Sequence, residues 1–171
     1  AHCGLCLWQG ASFPEEFRGA LFFGNIHGNR LNMDVLERKG SGYVGHHGAD
    51  FLLANDAWFR AIAMKEGPDG ALWVIDWYDQ QACHDTKREL WDRTNGRVYR
   101  VVHGERAKAR TDLASLTTHE LVELQTNRDG WTTRQARKLL QERGPDPTAQ
   151  RELRDLLARS KGDEPKELRA L

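Results

Sequence analysis

The composition of this chain changes abruptly near Gly104, from a β pattern before it to a helical pattern after it. Of its aromatic residues, 14 precede that point and only Trp131 follows it. The first part also holds most of the glycines, in short apolar runs separated by His27-Gly28-Asn29, Gly40-Ser41-Gly42 and Pro68-Asp69-Gly70. Short apolar runs between turn formers are strand signals. Beyond the break, Leu, Ala, Arg, Glu, Gln and Lys dominate, with apolar positions three and four apart. That spacing puts the apolar side chains on one face of a helix. The break therefore predicts β and α structure in separate regions: 1–104 β, 105–112 a linker, 113–171 helical.

Within the first region, strands are expected at 2–8, 20–25, 30–37, 43–46, 61–66, 72–76 and 97–102. Such short strands at regular spacing suit a sandwich, a barrel or a propeller. Residues 61–79 narrow the choice. Ile62 and Met64, then Gly67-Pro68-Asp69-Gly70, then Leu72, Val74 and Asp76 describe two strands around a tight turn, in which Pro68 presets φ and Gly70 takes a positive φ. A G-P-D-G-x-L-[YW]-V-x-D hairpin is a blade signature of several propeller families. Residues 17–25 and 30–37 read as strands of an earlier blade, giving a partial β-propeller of about two blades.

In the second region, Thr117 and Glu120 form a capping box ahead of Leu121, Val122 and Leu124, which predicts a helix over 118–126. The turn Asn127-Arg128-Asp129-Gly130 leads to a second helix, 133–142, with Ala136, Leu139 and Leu140 on one face and Gly144-Pro145 as its stop. A third, 148–159, carries Leu153, Leu156 and Leu157, and a fourth follows Asp163. Helix pairs of this length are units of solenoid repeats, so the region reads as the start of a HEAT-like array.

Charge excludes some functions. Lys and Arg number 25 and so do Asp and Glu, which leaves no electrostatic reason to propose nucleic acid or an anionic membrane surface as partner. No apolar stretch approaches the roughly 20 residues a membrane helix needs, and no basic-then-apolar signal peptide opens the chain. The first residue is not Met, so any targeting information is expected upstream. Three cysteines do not make a disulfide framework. Cys3 and Cys6 form a C-x-x-C, but haem attachment needs His at position 7, which is Leu, and zinc needs two further ligands. Ordinary strand cysteines or a local disulfide are the readings left.

Propellers bind ligands at the end of the central channel, so the candidate site residues are polar groups at strand ends. Arg60, just before the strand that opens the final blade, suits carboxylate or quinone oxygens, or else a structural salt bridge. His84 suits a general base taking a proton from a sugar alcohol, or a structural loop histidine. His27, with Asn25 and Arg30, surrounds a sharp turn. His46 and His47, near Asp50, resemble a metal cluster, but neighbouring side chains on a strand face opposite ways and no metal site is expected. Asp76 is read as a turn cap rather than half of a glycosidase pair with Asp79. Trp73, Trp77, Tyr78 and Trp91 serve sugar stacking or blade-to-blade core. Arg134, Arg137 and Lys138 read as a solvated basic face.

The β region resembles the propeller of a planctomycete-type family of membrane-bound dehydrogenases. The resemblance rests on Gly24-Asn25-Ile26-His27-Gly28-Asn29-Arg30, on residues 34–43, on Asp50-Phe51-Leu52-Leu53-Ala54-Asn55-Asp56, on Trp58-Phe59-Arg60, on Gly67-Pro68-Asp69-Gly70, on Asp76-Trp77-Tyr78-Asp79 with Cys83-His84, and on residues 92–100. It implies a propeller similar to those of sorbosone and quinone-dependent sugar dehydrogenases, then a HEAT-like array and a module with a C-x-x-C-H haem site. On that basis the chain is expected to be a fragment of a periplasmic or extracellular dehydrogenase that oxidises a sugar or other alcohol with a quinone or haem acceptor. His84 and Arg60 are the candidate catalytic residues; Arg60, His27 and Arg30 are the candidate cofactor-binding ones. Pyrroloquinoline quinone and calcium are implied as cofactors, haem c only in a module outside this sequence, and the remaining blades and haem module as partners. The alternative is a non-catalytic propeller/HEAT module that binds carbohydrate or protein. Alone, two blades cannot close a ring, so the isolated chain is expected to be inactive.

Overall fold

A computed structural model describes residues 2–83, 85, 87–105 and 112–171. The chain divides into two units, one holding eight strands and the other four α-helices among the described residues, so β and α structure occupy separate regions. The predicted linker, 105–112, falls largely outside the described residues.

In the β unit, β1 (His2–Leu7), β2 (Leu21–Asn25), β3 (Arg30–Lys39) and β4 (Gly42–His47) form one antiparallel sheet in sequence order, and β5 (Leu52–Leu53) pairs with Leu31 and Arg30 of β3. The second sheet is β6 (Ala61–Glu66), β7 (Leu72–Asp76) and β8 (Arg97–Val101), also antiparallel. Turn chemistry sets these hairpins. At the β2–β3 turn the Gly28 amide donates to Asn25 Oδ1 at 2.8 Å. At the β6–β7 turn the Gly67 amide donates to the Ala71 carbonyl at 2.9 Å and Gly70 takes φ 71°, as expected from Pro68-Asp69-Gly70. Strand β3 runs two residues beyond its expected end because Lys39 pairs with Gly42 across the hairpin. Strand β5 went unforeseen; two residues are too few for any periodic signal.

The two sheets meet at β6, which lies on β1 and β2. Glycine makes the approach possible. A Cβ on Gly24 would stand 2.0 Å from the Ala61 carbonyl oxygen, and one on Gly4 2.8 Å from the Ala63 Cα. Here main chain packs on main chain. Away from this edge the gap fills with larger groups: Trp8, Phe22, Leu31, Phe59, Met64, Leu72 and Val74 are buried in one core, and Trp8 stacks on Phe13 at 4.3 Å while Phe22 meets Phe51 at 4.3 Å. Between β3–β5 and β7–β8 the sheets part around an open cleft of about 540 Å³, walled by Leu31, Leu52, Phe59, Val74, Tyr99 and Val101. The sheet pair thus tapers from outer strands to inner ones. The outward face of the second sheet is partly apolar: Trp73, Ile75 and Val98, the last two cross-strand partners, are 38%, 48% and 65% exposed, and Lys65 and Arg100 lie opposite Trp73. A strand that is apolar on both sides is the pattern of a sheet covered on both faces.

In the helical unit, α1 (Thr118–Glu123) runs into a 3-10 turn at Leu124–Thr126, followed by α2 (Gly130–Glu142), α3 (Pro147–Arg159) and α4 (Glu164–Ala170). The Thr117–Glu120 capping box is present in both directions. Helix α2 begins three residues earlier than its apolar pattern suggests, because Asp129 caps it through the Thr132 amide. Asp146 and Asp163 cap α3 and α4, and Gly144 and Gly162, both at positive φ, end the helices before them. Leu121, Leu124 and Ala136 form one apolar cluster and Val122, Ala149, Leu156 and Ala170 another, with Leu140 packed against both. No described helix is long and apolar enough to cross a membrane.

Two predictions follow from this packing. Gly24→Ala forces the Ala61 main chain away and should destabilise the β unit by about 2–3 kcal/mol, read as a lower urea midpoint. In the helical unit, the Thr148 amide above all, with that of Ala149, holds the Asp146 carboxyl below the usual range, and a side-chain contact with Lys166 does the same for Asp163. A depressed folded pKa contributes stability above the unfolded value, near pH 4, that is lost as pH falls through the folded one. Acidification from pH 5 to pH 3 should therefore lower the thermal midpoint of the helices, and Asp146→Asn should blunt that loss.

Candidate functional site

Three segments converge beyond the start of β6 and the end of β7. The Trp77 amide donates to the Arg60 carbonyl at 2.9 Å and the Asp79 amide to the Trp58 carbonyl at 3.0 Å, so the β6–β7 ladder continues past both strands. Asp76 Oδ1 accepts from the Arg60 amide at 2.7 Å and the Tyr78 amide at 2.9 Å. Asp79 accepts from the amides of Gln81 and Asp92 and from the Trp77 indole. Asp92 in turn accepts from Thr94, whose hydroxyl and amide hold its carboxyl below the usual range. These carboxylates cap turns two residues on, as short acidic side chains do when the main chain needs an acceptor.

Arg60 lies at the centre, 6% exposed. Its Nη1 donates to the Phe59 carbonyl at 2.9 Å and its Nη2 to the Gln80 carbonyl at 3.0 Å. Burial pulls the guanidinium's pKa down, and the negative charges of Asp79, Asp76 and Asp56 work against that shift. Two buried atoms of this cluster have no hydrogen-bond partner among the described residues: Arg60 Nε, a donor, and Asp76 Oδ2, an acceptor. The Phe59 carbonyl also accepts from Asn29 Nδ2 at 3.1 Å, and Asn29 reaches the Ala57 carbonyl at 2.9 Å. This links the β2–β3 turn to the Arg60 end of the second sheet.

A family model described as a domain of unknown function, DUF7133, matches residues 1–105, which take in every strand of the β unit. The chain belongs to the DUF7133 family. No curated protein and no solved structure matches it.

Within the DUF7133 domain the expected site residues have different surroundings. Arg30 pairs with Asp50 at 2.5 Å and donates to the Gly28 carbonyl at 3.1 Å, while Asn32 holds the other Asp50 oxygen at 2.7 Å. Its guanidinium braces the turn. His27 is exposed on that same turn, and His84 lies outside the described residues. His46 pairs with Glu37 and His47 with Asp34, on opposite faces of β4. Cys3 and Cys6 are not joined in a disulfide; Cys3 donates to the Ala61 carbonyl at 3.2 Å, and burial raises its pKa.

The fit of the implied cofactors is limited. Among the described residues no group of three or more His, Cys, Asp or Glu side chains has the geometry to hold a metal ion. A polycarboxylated quinone needs several converging donors, whereas both Nη atoms of Arg60 are committed to main-chain carbonyls. The described residues alone do not fit that group.

Sequence reasoning did not single out Asn55, Asp56, Trp58 or Arg97 as site residues. They gather around Tyr78: Trp58 lies 5.6 Å from its ring, Arg97 sits over it at 3.1 Å, and Arg97 also pairs with Asp56 at 3.3 Å. Asn55 and Tyr78 both take positive φ, 53° and 48°. For Asn that conformation is common and legible; for Tyr it is not. Replacing Arg60 with Met leaves Asp76 and Asp79 buried beside no cation, so the β unit should lose about 3 kcal/mol of stability, with Arg60→Lys intermediate, both by chemical denaturation.

Proposed function

We propose that the β unit is two neighbouring blades of a propeller, and that its Arg60 end forms part of the site where a planctomycete-type, membrane-bound dehydrogenase oxidises a sugar or other alcohol outside the cytoplasm. The taper of the sheet pair, the apolar residues on both faces of β7 and the hairpin motifs support the blade reading. The function rests on one observation above the rest: a buried donor, Arg60 Nε, and a buried acceptor, Asp76 Oδ2, both without hydrogen-bond partners among the described residues, on residues joined by a hydrogen bond. Each costs about 1–3 kcal/mol when unsatisfied, so such atoms persist where a ligand or water completes them. An alcohol hydroxyl is both acceptor and donor. Its oxygen is the kind of acceptor Arg60 Nε–H lacks, and Asp76 Oδ2 is the kind of base that oxidation of an alcohol requires. His84, outside the described residues, is the second candidate for that base on the sequence resemblance alone. The electron acceptor, a quinone or haem, belongs to parts of the protein beyond these residues.

The test is dye reduction by the full-length protein supplied with quinone and a panel of aldoses and polyols. Turnover is expected, with Asp76→Asn losing about 100-fold in kcat while retaining its turn-capping oxygen. Sugar binding without turnover by any substrate would instead establish the non-catalytic carbohydrate module, a reading favoured by the aromatic hollow beside Tyr78.

A further inference from the structure

Next to the Arg60 end, Ala54, Asn55, Asp56, Ala57, Trp58 and Tyr78 line an open hollow of about 600 Å³. We propose that this hollow is a binding platform for a neutral saccharide, with the Trp58 indole as its stacking surface and Asn55 and Asp56 as its hydroxyl ligands. The inference takes its ligand class from the function proposed above but requires no oxidation.

The chemistry of the lining carries it. Pyranose rings present apolar C–H faces rimmed by hydroxyls, so they are recognised by flat aromatic faces beside planar donors and acceptors. Trp58 and Tyr78 are both half-buried, their planes tilted 46° to one another. Neither the Trp58 indole N–H nor the Tyr78 hydroxyl has a hydrogen-bond partner among the described residues, so both remain available at the hollow. Asp56 is fixed from two sides, Oδ1 by the Trp58 amide at 3.0 Å and Oδ2 by Arg97 at 3.3 Å. Each oxygen keeps a lone pair, an arrangement that receives two adjacent hydroxyls.

Charge decides between ligand classes. Arg97 cancels Asp56 and is itself held by the Tyr99 hydroxyl at 2.8 Å and the Tyr78 ring. The hollow therefore offers no net charge to a phosphate, a uronate or a cation. It also lacks the aliphatic lining that a peptide's apolar side chain would fill. The Arg97 contact has a second effect: it holds the Tyr78 ring in place, so little side-chain freedom is lost on binding.

The test is isothermal titration of the full-length protein with D-glucose, D-galactose and cellotriose. Binding by the wild type is expected, with Trp58→Ala weakening it about 10-fold, or 1.4 kcal/mol. Asn55→Gly keeps the left-handed backbone and removes only the amide; it is expected to weaken binding about 3-fold with an unchanged near-ultraviolet spectrum. No binding by the wild type, or equal affinity in both variants, overturns the platform. The two readings separate cleanly. Saccharide binding without dye reduction removes the dehydrogenase and leaves the platform; dye reduction with an unaltered KM in Trp58→Ala removes the platform and leaves the dehydrogenase.

Discussion

The β unit depends on a contact made chiefly by main chain: β6 lying on Gly4 and Gly24. Glycine at mid-strand normally weakens a strand, since it has nothing to pack and the most freedom to lose. Here the missing Cβ is what lets two sheets touch. With the inner edges at backbone distance, the aromatic and aliphatic residues farther out fill a widening gap, and Trp8, Phe22 and Phe51 end in one cluster. The same contact brings the segment before β6 against the β2–β3 turn, which is why Asn29 and Arg60 share the Phe59 carbonyl.

Much of this architecture was legible in the sequence because its causes are local. The composition break, the Pro68-Asp69-Gly70 turn, the Asn25–Gly28 turn and the Thr117–Glu120 capping box each depend on residues within a few positions of one another, and each lies where it was expected. The turn-capping role of Asp76 was likewise read from its neighbours. What escaped depends on distant partners. Gly24 looks like a weak strand residue until Ala61 is placed over it. Arg60 is held by the carbonyls of Phe59 and Gln80, and main-chain acceptors leave no trace in residue identity. The hollow draws on residues 54–58 and on Tyr78, with Arg97 buttressing it from a third segment, so no contiguous motif announces it.

The acidic residues at this end show how similar side chains divide their labour. Asp79 and Asp92 give both oxygens to hydrogen bonds, and Asp56 splits its two between a main-chain amide and a guanidinium. Asp76 alone among these four commits one oxygen and keeps the other buried, without a partner among the described residues. An acidic cluster that looks uniform in sequence is therefore mostly scaffold, with one group set apart by what does not touch it.

The glycine edge also governs a quantity of larger scale. Where tapered units stand side by side around an axis, the thickness of each at its narrow side, relative to its broad side, sets how many complete the circle. With Gly24 and Gly4 the narrow side is as thin as two backbones allow; a side chain at either position would blunt the taper and enlarge the radius at which neighbours meet. Two hydrogen atoms in place of methyl groups thus help to fix the bore of any ring that units of this shape build.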